Sequence, residues 1–368
     1  MFWRIGNGNH QIALVSKETL PVFYIINEFR PDEVFLVGTE ETTLEMEQIE
    51  RLAAKMGTVC HRLITKADDM AYTMKQCESV HERYDDEASY CYNLTCGTKL
   101  MAFGALMCAQ KHHAQVVYSD ISTYTNFATM QRMPMQHMLT TETIIALQGQ
   151  KIKSRDIYRY DAERTECAMQ VRNFVLRNIK AYSVLISQYN TYKQLPNPFS
   201  QGKLFYRRSG GELVVEYDDV EVFASDYHDA FAMLFEGRWW ETLVADAVNR
   251  WANGRYEVWT NVRFEPKVGA KRYDKNEVDV LVNIGNRLLF VECKSGMFNQ
   301  DNLYKLSSVS HTYGSYKSKS VIVSFRDNVI RPDLEEKARE MHVKLFVPNR
   351  QLSNIGVELD KIVKSLNA

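Results

Sequence analysis

In the N-terminal half, short apolar runs alternate with stretches whose apolar residues recur at helical spacing. Strands are predicted over residues 11–16, 33–38, 58–64, 89–94 and 115–118, and helices over 20–29, 42–56 and 98–111. This order builds a parallel sheet covered on both faces, a Rossmann-like architecture that takes ligands at the C-terminal strand ends. The C-terminal half has a different rhythm. Trp240, Val244, Ala247, Val248 and Trp251 mark an amphipathic helix ending before Gly254. A strand over 256–264, a hairpin, a helix over 299–312, a strand over 320–324, a helix from Pro332 and a strand over 343–347 follow. Between the halves, Ala168, Val171, Val175 and Ile179 share a helical spacing, and Pro196-Asn197-Pro198 closes the segment. The chain therefore reads as α/β, with a domain over 1–155, a connecting helix and linker over 156–200, and a second domain over 201–368.

The hairpin carries chemistry. If Gly285 and Asn286 form a two-residue loop, partner positions sum to 571, which sets Asp279 opposite Glu292. Opposed residues share a face, and Lys294, two positions on, returns to it. Like charges across a ladder destabilise it, so the pair calls for a cation. Magnesium or manganese takes carboxylate oxygens, keeps several waters and lowers the pKa of one of them. The alternative is an ion pair of Lys294 with these carboxylates, or with its cross-strand partner Glu277, on a solvated face.

Two strand ends in the first half carry a second kind of chemistry. Ser16-Lys17-Glu18-Thr19 follows the first strand, and Asn93 to Met101 passes from a strand through small residues into a helix. Gly97 lets the backbone come close, the helix start offers N–H groups to an anion, and Thr98 and Lys99 add a hydroxyl and a charge. A phosphate site is the inference. No G-x-G-x-x-G follows the first strand, and Leu100 after Gly-Thr-Lys removes the hydroxyl a P-loop needs, so neither a dehydrogenase nor a P-loop ATPase is supported.

With 368 residues, 45% hydrophobic, the chain has enough material for two cores. Net charge is −1, so contact with nucleic acid must rely on local patches such as Arg263, Lys267, Lys271, Arg272 and Lys275, with Lys305, Lys317 and Lys319 beyond. Seven cysteines without a CxxC pair argue against a disulfide framework or a zinc ribbon and fit a reducing cytoplasm. Neither a signal peptide nor an apolar span of membrane length is evident, so a soluble cytoplasmic protein without membrane contact is expected.

Asp279 with Glu292-x-Lys294 resembles the PD-(D/E)xK nuclease superfamily, with Val278 where the motif has proline. Glu241 lies on the preceding helix, where that superfamily often adds an acidic residue. The segment at 93–101 resembles the strand-four motif of CARF domains: Asn93, Thr95, Gly97, Thr98, Lys99 and Met101 match, and Cys96 replaces a glycine. Ser16 and Thr19 match the polar loop after that family's first strand. Together the halves resemble the CRISPR ancillary nucleases of type III systems, as do Gly237-x-Trp-Trp-Glu241 and Leu303-Tyr304-Lys305-Leu306. The resemblance implies a homodimer whose two CARF domains bind one cyclic oligoadenylate, most often the tetra-adenylate, through Ser16, Thr19, Thr95, Gly97, Thr98, Lys99 and Met101. It further implies a metal-dependent nuclease acting on DNA, RNA or both, with Asp279 and Glu292 on the metal and Lys294 and Glu241 assisting. A ligand-responsive regulator with an inert nuclease-like domain, and a repair or restriction nuclease indifferent to nucleotides, are the competing readings.

Overall fold

Five runs rich in valine, isoleucine, phenylalanine and tyrosine form the parallel part of the first sheet, because such side chains pack well on a pleated surface buried on both faces. The computed structural model describes residues 8–84, 88–265, 277–314, 317–326 and 330–367. The chain divides into a first unit of residues 1–152 with 285–287 and 312–315, and a second of 153–284, 288–311 and 316–368.

The first unit runs β1 (Asn9–Leu14), α1 (Leu20–Phe29), β2 (Glu33–Gly38), α2 (Thr43–Ala54), β3 (Val59–Ile64), α3 (Met70–His81), β4 (Ser89–Asn93) and α4 (Lys99–Lys111). It continues through β5 (Gln115–Ser119), β6 (Thr123–Asn126), β7 (Gln131–Pro134) and α5 (Thr141–Leu147). Sheet order is β3-β2-β1-β4-β5-β6-β7, parallel from β3 to β5 and antiparallel beyond. The order reverses between β1 and β4, and in such sheets the crevice outside the strand ends at that switch point receives ligands. Ile12, Leu14, Phe35, Val37 and Tyr92 pack against Met101, Ala105 and Cys108 of α4. Gly104 lets α3 approach α4: a Cβ there would lie 2.4 Å from the Met70 carbonyl oxygen. Asn286, 1% exposed, also belongs to this unit. Its Nδ2 donates to the Ile121 carbonyl (3.0 Å), its Oδ1 accepts from Leu139 N–H (2.6 Å), and its own carbonyl accepts from the Tyr24 hydroxyl (2.8 Å).

The second unit begins inside β8 (Ile152–Ile157), followed by α6 (Ala162–Arg177), α7 (Ile179–Tyr192), β9 (Phe199–Gln201), β10 (Leu204–Ser209), β11 (Glu212–Tyr217), β12 (Val220–Ser225) and α8 (Ala230–Phe235). Next come α9 (Arg238–Ala252), β13 (Glu257–Phe264), β14 (Glu277–Asn283), β15 (Leu288–Lys294), α10 (Gln300–Gly314), β16 (Lys319–Ser324), α11 (Pro332–Glu340), β17 (Val343–Phe346) and α12 (Ile355–Asn367). One sheet has the order β17-β16-β15-β14-β13-β8, and β9 to β12 form a separate antiparallel sheet. Helix α9 is buried on most of its surface, with Trp239, Trp240 and Val248 at 0–2% exposure. Each such side chain contributes roughly 1.5–3 kcal/mol by leaving water. Two of the indole N–H groups are paired: Trp240 Nε1 donates to the Val323 carbonyl at 2.9 Å, and Trp251 Nε1 to Asp360 at 2.8 Å. Among the described residues no helix is long and apolar enough to cross a membrane.

Residues 156–200 carry two helices rather than one connecting helix. Asn178, with φ −129° and ψ 48°, breaks the helical path. Ala168, Val171 and Val175 on α6 join the core that holds α9, and Arg164 Nε reaches Thr242 Oγ1 at 3.1 Å. Sequence periodicity passed over α3, whose inward residues Thr73, Cys77 and Val80 are largely polar or small, and over the short strands β6, β7 and β9 to β12.

Candidate functional site

The two-residue turn forms as expected: Gly285 and Asn286 both take positive φ, 85° and 62°. Val280 pairs with Val291, Leu281 with Phe290, Val282 with Leu289 and Asn283 with Leu288, so partner positions sum to 571. At the next step Asp279 Oδ2 accepts the backbone N–H of Cys293 at 2.6 Å instead of leaving two bare carboxylates face to face. Glu292 is 5% exposed, and its Oε1 lies 2.7 Å from Lys294 Nζ and 4.0 Å from Lys305 Nζ. The lysine ion pair weighed in the sequence therefore exists, with Glu292 as its partner, while Glu277 pairs with Arg263 at 3.2 Å.

These side chains line one cavity of about 560 Å³ with Glu241, from the first turn of α9. Burial, then Glu292 and Glu241, hold the Asp279 carboxyl well above the usual range, against the Cys293 N–H and Lys294. Glu241 is pushed up to about 7 by burial; Arg238 and Lys294 oppose the rise, and Glu277 and Glu292 add to it. Burial works to lower the Lys294 pKa, yet Glu292 and Asp279 outweigh it and the net direction is upward. Three carboxylates, Asp279, Glu292 and Glu241, thus line one cavity with Lys294. That clustering of carboxylates, an all-oxygen donor set, fits a hard divalent cation held by Asp279 and Glu292.

Arg238 and Arg164 also line this cavity. The sequence reading passed over both; Arg164 comes from α6, and no local pattern announces its arrival. Of the basic residues expected beside the site, Arg263 and Lys305 line it, and Lys267, Lys271, Arg272 and Lys275 lie outside the described residues.

In the first unit, Ser16 and the 97–99 turn follow adjacent parallel strands at the switch point. Gly97 has φ 80°, and a Cβ there would stand 3.2 Å from Met101 Cε and 3.3 Å from Leu14 Cβ. Thr98 caps α4, its hydroxyl accepting from Met101 N–H at 3.2 Å and donating to the Ala67 carbonyl. Lys99 is exposed and makes no hydrogen bond or ion pair with a described residue. Two expected contacts are corrected. Thr19 is 1% exposed and donates to the Leu147 carbonyl at 2.8 Å, and Met101, 1% exposed, packs into the core. Thr95 Oγ1 is engaged with Asn93 Oδ1 and accepts from Ser119 N–H at 2.7 Å, so it shapes the turn from beneath.

A third cluster, His81, Cys108 and His112, brings its potential ligand atoms within 4.8 Å of one another. The two imidazoles stack at 3.8 Å and 6°, so their in-plane lone pairs run parallel and do not converge on one centre.

Comparison with known proteins accords with this division. Residues 11–148 match the Card1 CARF domain family, and residues 229–363 match the Card1-like endonuclease domain family. Among curated proteins none matches the chain. The fold is similar to that of Can2 from Sulfobacillus thermosulfidooxidans, solved with cyclic tetra-adenylate: TM-score 0.75 at 17% identity, covering 96% of this chain and 99% of that one. Protein VC1899 from Vibrio cholerae superposes with TM-score 0.74 at 15% identity, covering 97% and 98%. A type III CRISPR defence DNA nuclease activated by cyclic oligoadenylate gives TM-score 0.57 at 16% identity, over 87% of this chain and 46% of that one.

Proposed function

The chain belongs to the nucleases that join a Card1 CARF domain to a Card1-like endonuclease domain, and we propose that it cleaves nucleic acid only when a cyclic oligoadenylate occupies the CARF domain. The observation that carries this reading is the Asp279, Glu292 and Lys294 set on one hairpin, lining one cavity with Glu241, in a chain that also has an anion-receiving turn at a sheet switch point. A divalent ion, magnesium or manganese, held by Asp279 and Glu292 supplies the positive charge that the scissile phosphate requires. Lys294 is placed by Glu292 to stabilise charge on a phosphate oxygen as a water attacks phosphorus and the P–O bond breaks. Glu241, on the wall of the same cavity, is suited to accept the proton released by that water.

In the CARF domain the exposed Lys99, the Ser16 hydroxyl and the N–H groups at the start of α4, reached over Gly97, meet the phosphates of the activator. A homodimer would present two copies of this set about a two-fold axis, matching the symmetry of cyclic tetra-adenylate. The test is cleavage of plasmid, circular single-stranded DNA and RNA with manganese, with and without cyclic tetra-adenylate. Cleavage that requires both, and is lost in Asp279→Ala and Lys294→Ala, is expected. Equal cleavage without the activator would favour a nucleotide-independent nuclease, and no cleavage by a folded protein that binds the activator would favour a regulator.

A further inference from the structure

A cavity of about 500 Å³ in the second unit lies between α6, α7, the end of β16 and the turn after β17. Three guanidinium groups, Arg172, Arg326 and Arg350, line it, and among the described residues no aspartate or glutamate does. Arg172 is only 9% exposed and makes no hydrogen bond or ion pair with a described residue. Arg326 Nε is buried and has no hydrogen-bond partner among the described residues. Leaving charge buried and unpaired is costly, and Arg172 has the further burden of facing Arg350; its pKa is lowered by burial and by that repulsion. Ile179 brings the N-terminus of α7 to the same wall, and no side chain caps that 14-residue helix, so its first N–H groups add to the attraction for an anion. The remaining wall is mostly apolar, with half-buried Phe325 and Pro348 beside exposed Asn349.

We infer that this cavity binds a nucleotide, the arginines gripping its phosphate while the base or sugar lies against Phe325 and Pro348. Guanidinium forks match phosphate oxygens in pairs, and an aromatic face accepts any base. The volume falls in the range of small-molecule sites and exceeds what a bare phosphate fills. None of the arginines belongs to the Asp279 cleft or to the CARF turn, so the assignment stands independently of the cleavage reading. The phosphate has two sources, a free mononucleotide or a strand passing the cavity.

The experiment is calorimetric titration of the full chain in EDTA with inorganic phosphate, adenosine 5′-monophosphate and a short oligothymidylate. At least one of the two nucleotide probes is expected to bind more tightly than phosphate. That binding should weaken about tenfold or more in Arg350→Ala and in Arg172→Met, as loss of a charge-assisted pair predicts. The same titrations in a Lys99→Ala, Lys294→Ala background weaken binding at the CARF turn and the Asp279 cleft, and binding that persists in that background and is lost on adding Arg350→Ala belongs to the cavity. Binding by the mononucleotide identifies a free nucleotide, and binding by the oligomer alone identifies a strand. Arg350 is exposed, so its variant reports even if Arg172→Met fails to fold. The inference is overturned if no probe binds, if phosphate binds as well as both nucleotides, or if folded Arg350→Ala binds like the parent chain.

Discussion

Glu241→Gln isolates the electrostatic cost of the metal-free site. Burial and neighbouring carboxylates raise the Glu241 pKa from 4.5 to about 7. Between these values the folded chain holds a proton that the unfolded chain has lost, so stability falls as pH rises through that window. At about 1.36 kcal/mol per pH unit, the rise amounts to roughly 3 kcal/mol lost by pH 8. Glutamine occupies nearly the same volume and carries no charge. Below pH 4.5 the variant and parent should therefore unfold at the same urea concentration, and their gap should open to about 3 kcal/mol in favour of the variant above pH 7. Manganese should narrow that gap, because a cation bound by Asp279 and Glu292 relieves the repulsion that Glu241 feels. Urea melts at half-unit pH intervals in EDTA and in manganese measure both effects. Parallel stability profiles for the two proteins across pH 4–9 would refute the reasoning.

Lys294→Ala should slow metal-dependent cleavage on the order of 100-fold, as removal of a preorganised charge at the reacting phosphate does, while binding of cyclic tetra-adenylate measured by titration stays unchanged. Gly97→Ala combines a positive φ of 80° with contacts of 3.2–3.4 Å to Met101 and Leu14. It should cost about 1–2 kcal/mol in a thermal melt and weaken activator binding; an unchanged melt argues against strain at this turn. Asn286→Ala leaves the Leu139 N–H and the Ile121 carbonyl without their partner in a buried setting. A loss of about 2–3 kcal/mol in urea unfolding is expected, and a loss under 0.5 kcal/mol would mean that water replaces both bonds.

Local chemistry decided the hairpin. A Gly-Asn pair accepts positive φ at both positions, a two-residue turn admits one register, and that register brought Asp279, Glu292 and Lys294 to one end of one strand pair before any fold was known. Apolar spacing likewise outlined the parallel strands and α9, because a buried strand or helix face must be apolar wherever it packs. Long-range packing decided the rest. Thr19 and Met101 read as ligand contacts from their motif, but α5 and the sheet core take their side chains inward. Burial of Glu241 depends on how α9 packs, and no residue type in the chain encodes it. Arg172, Arg326 and Arg350 lie on separate elements, so their convergence has no sequence signature. Sequence by itself determined which groups share a strand or a turn, since backbone geometry over a few residues is short-ranged. Tertiary structure alone decided which charges are buried together and what neutralises them, since desolvation and Coulomb energies depend on everything that packs around a group.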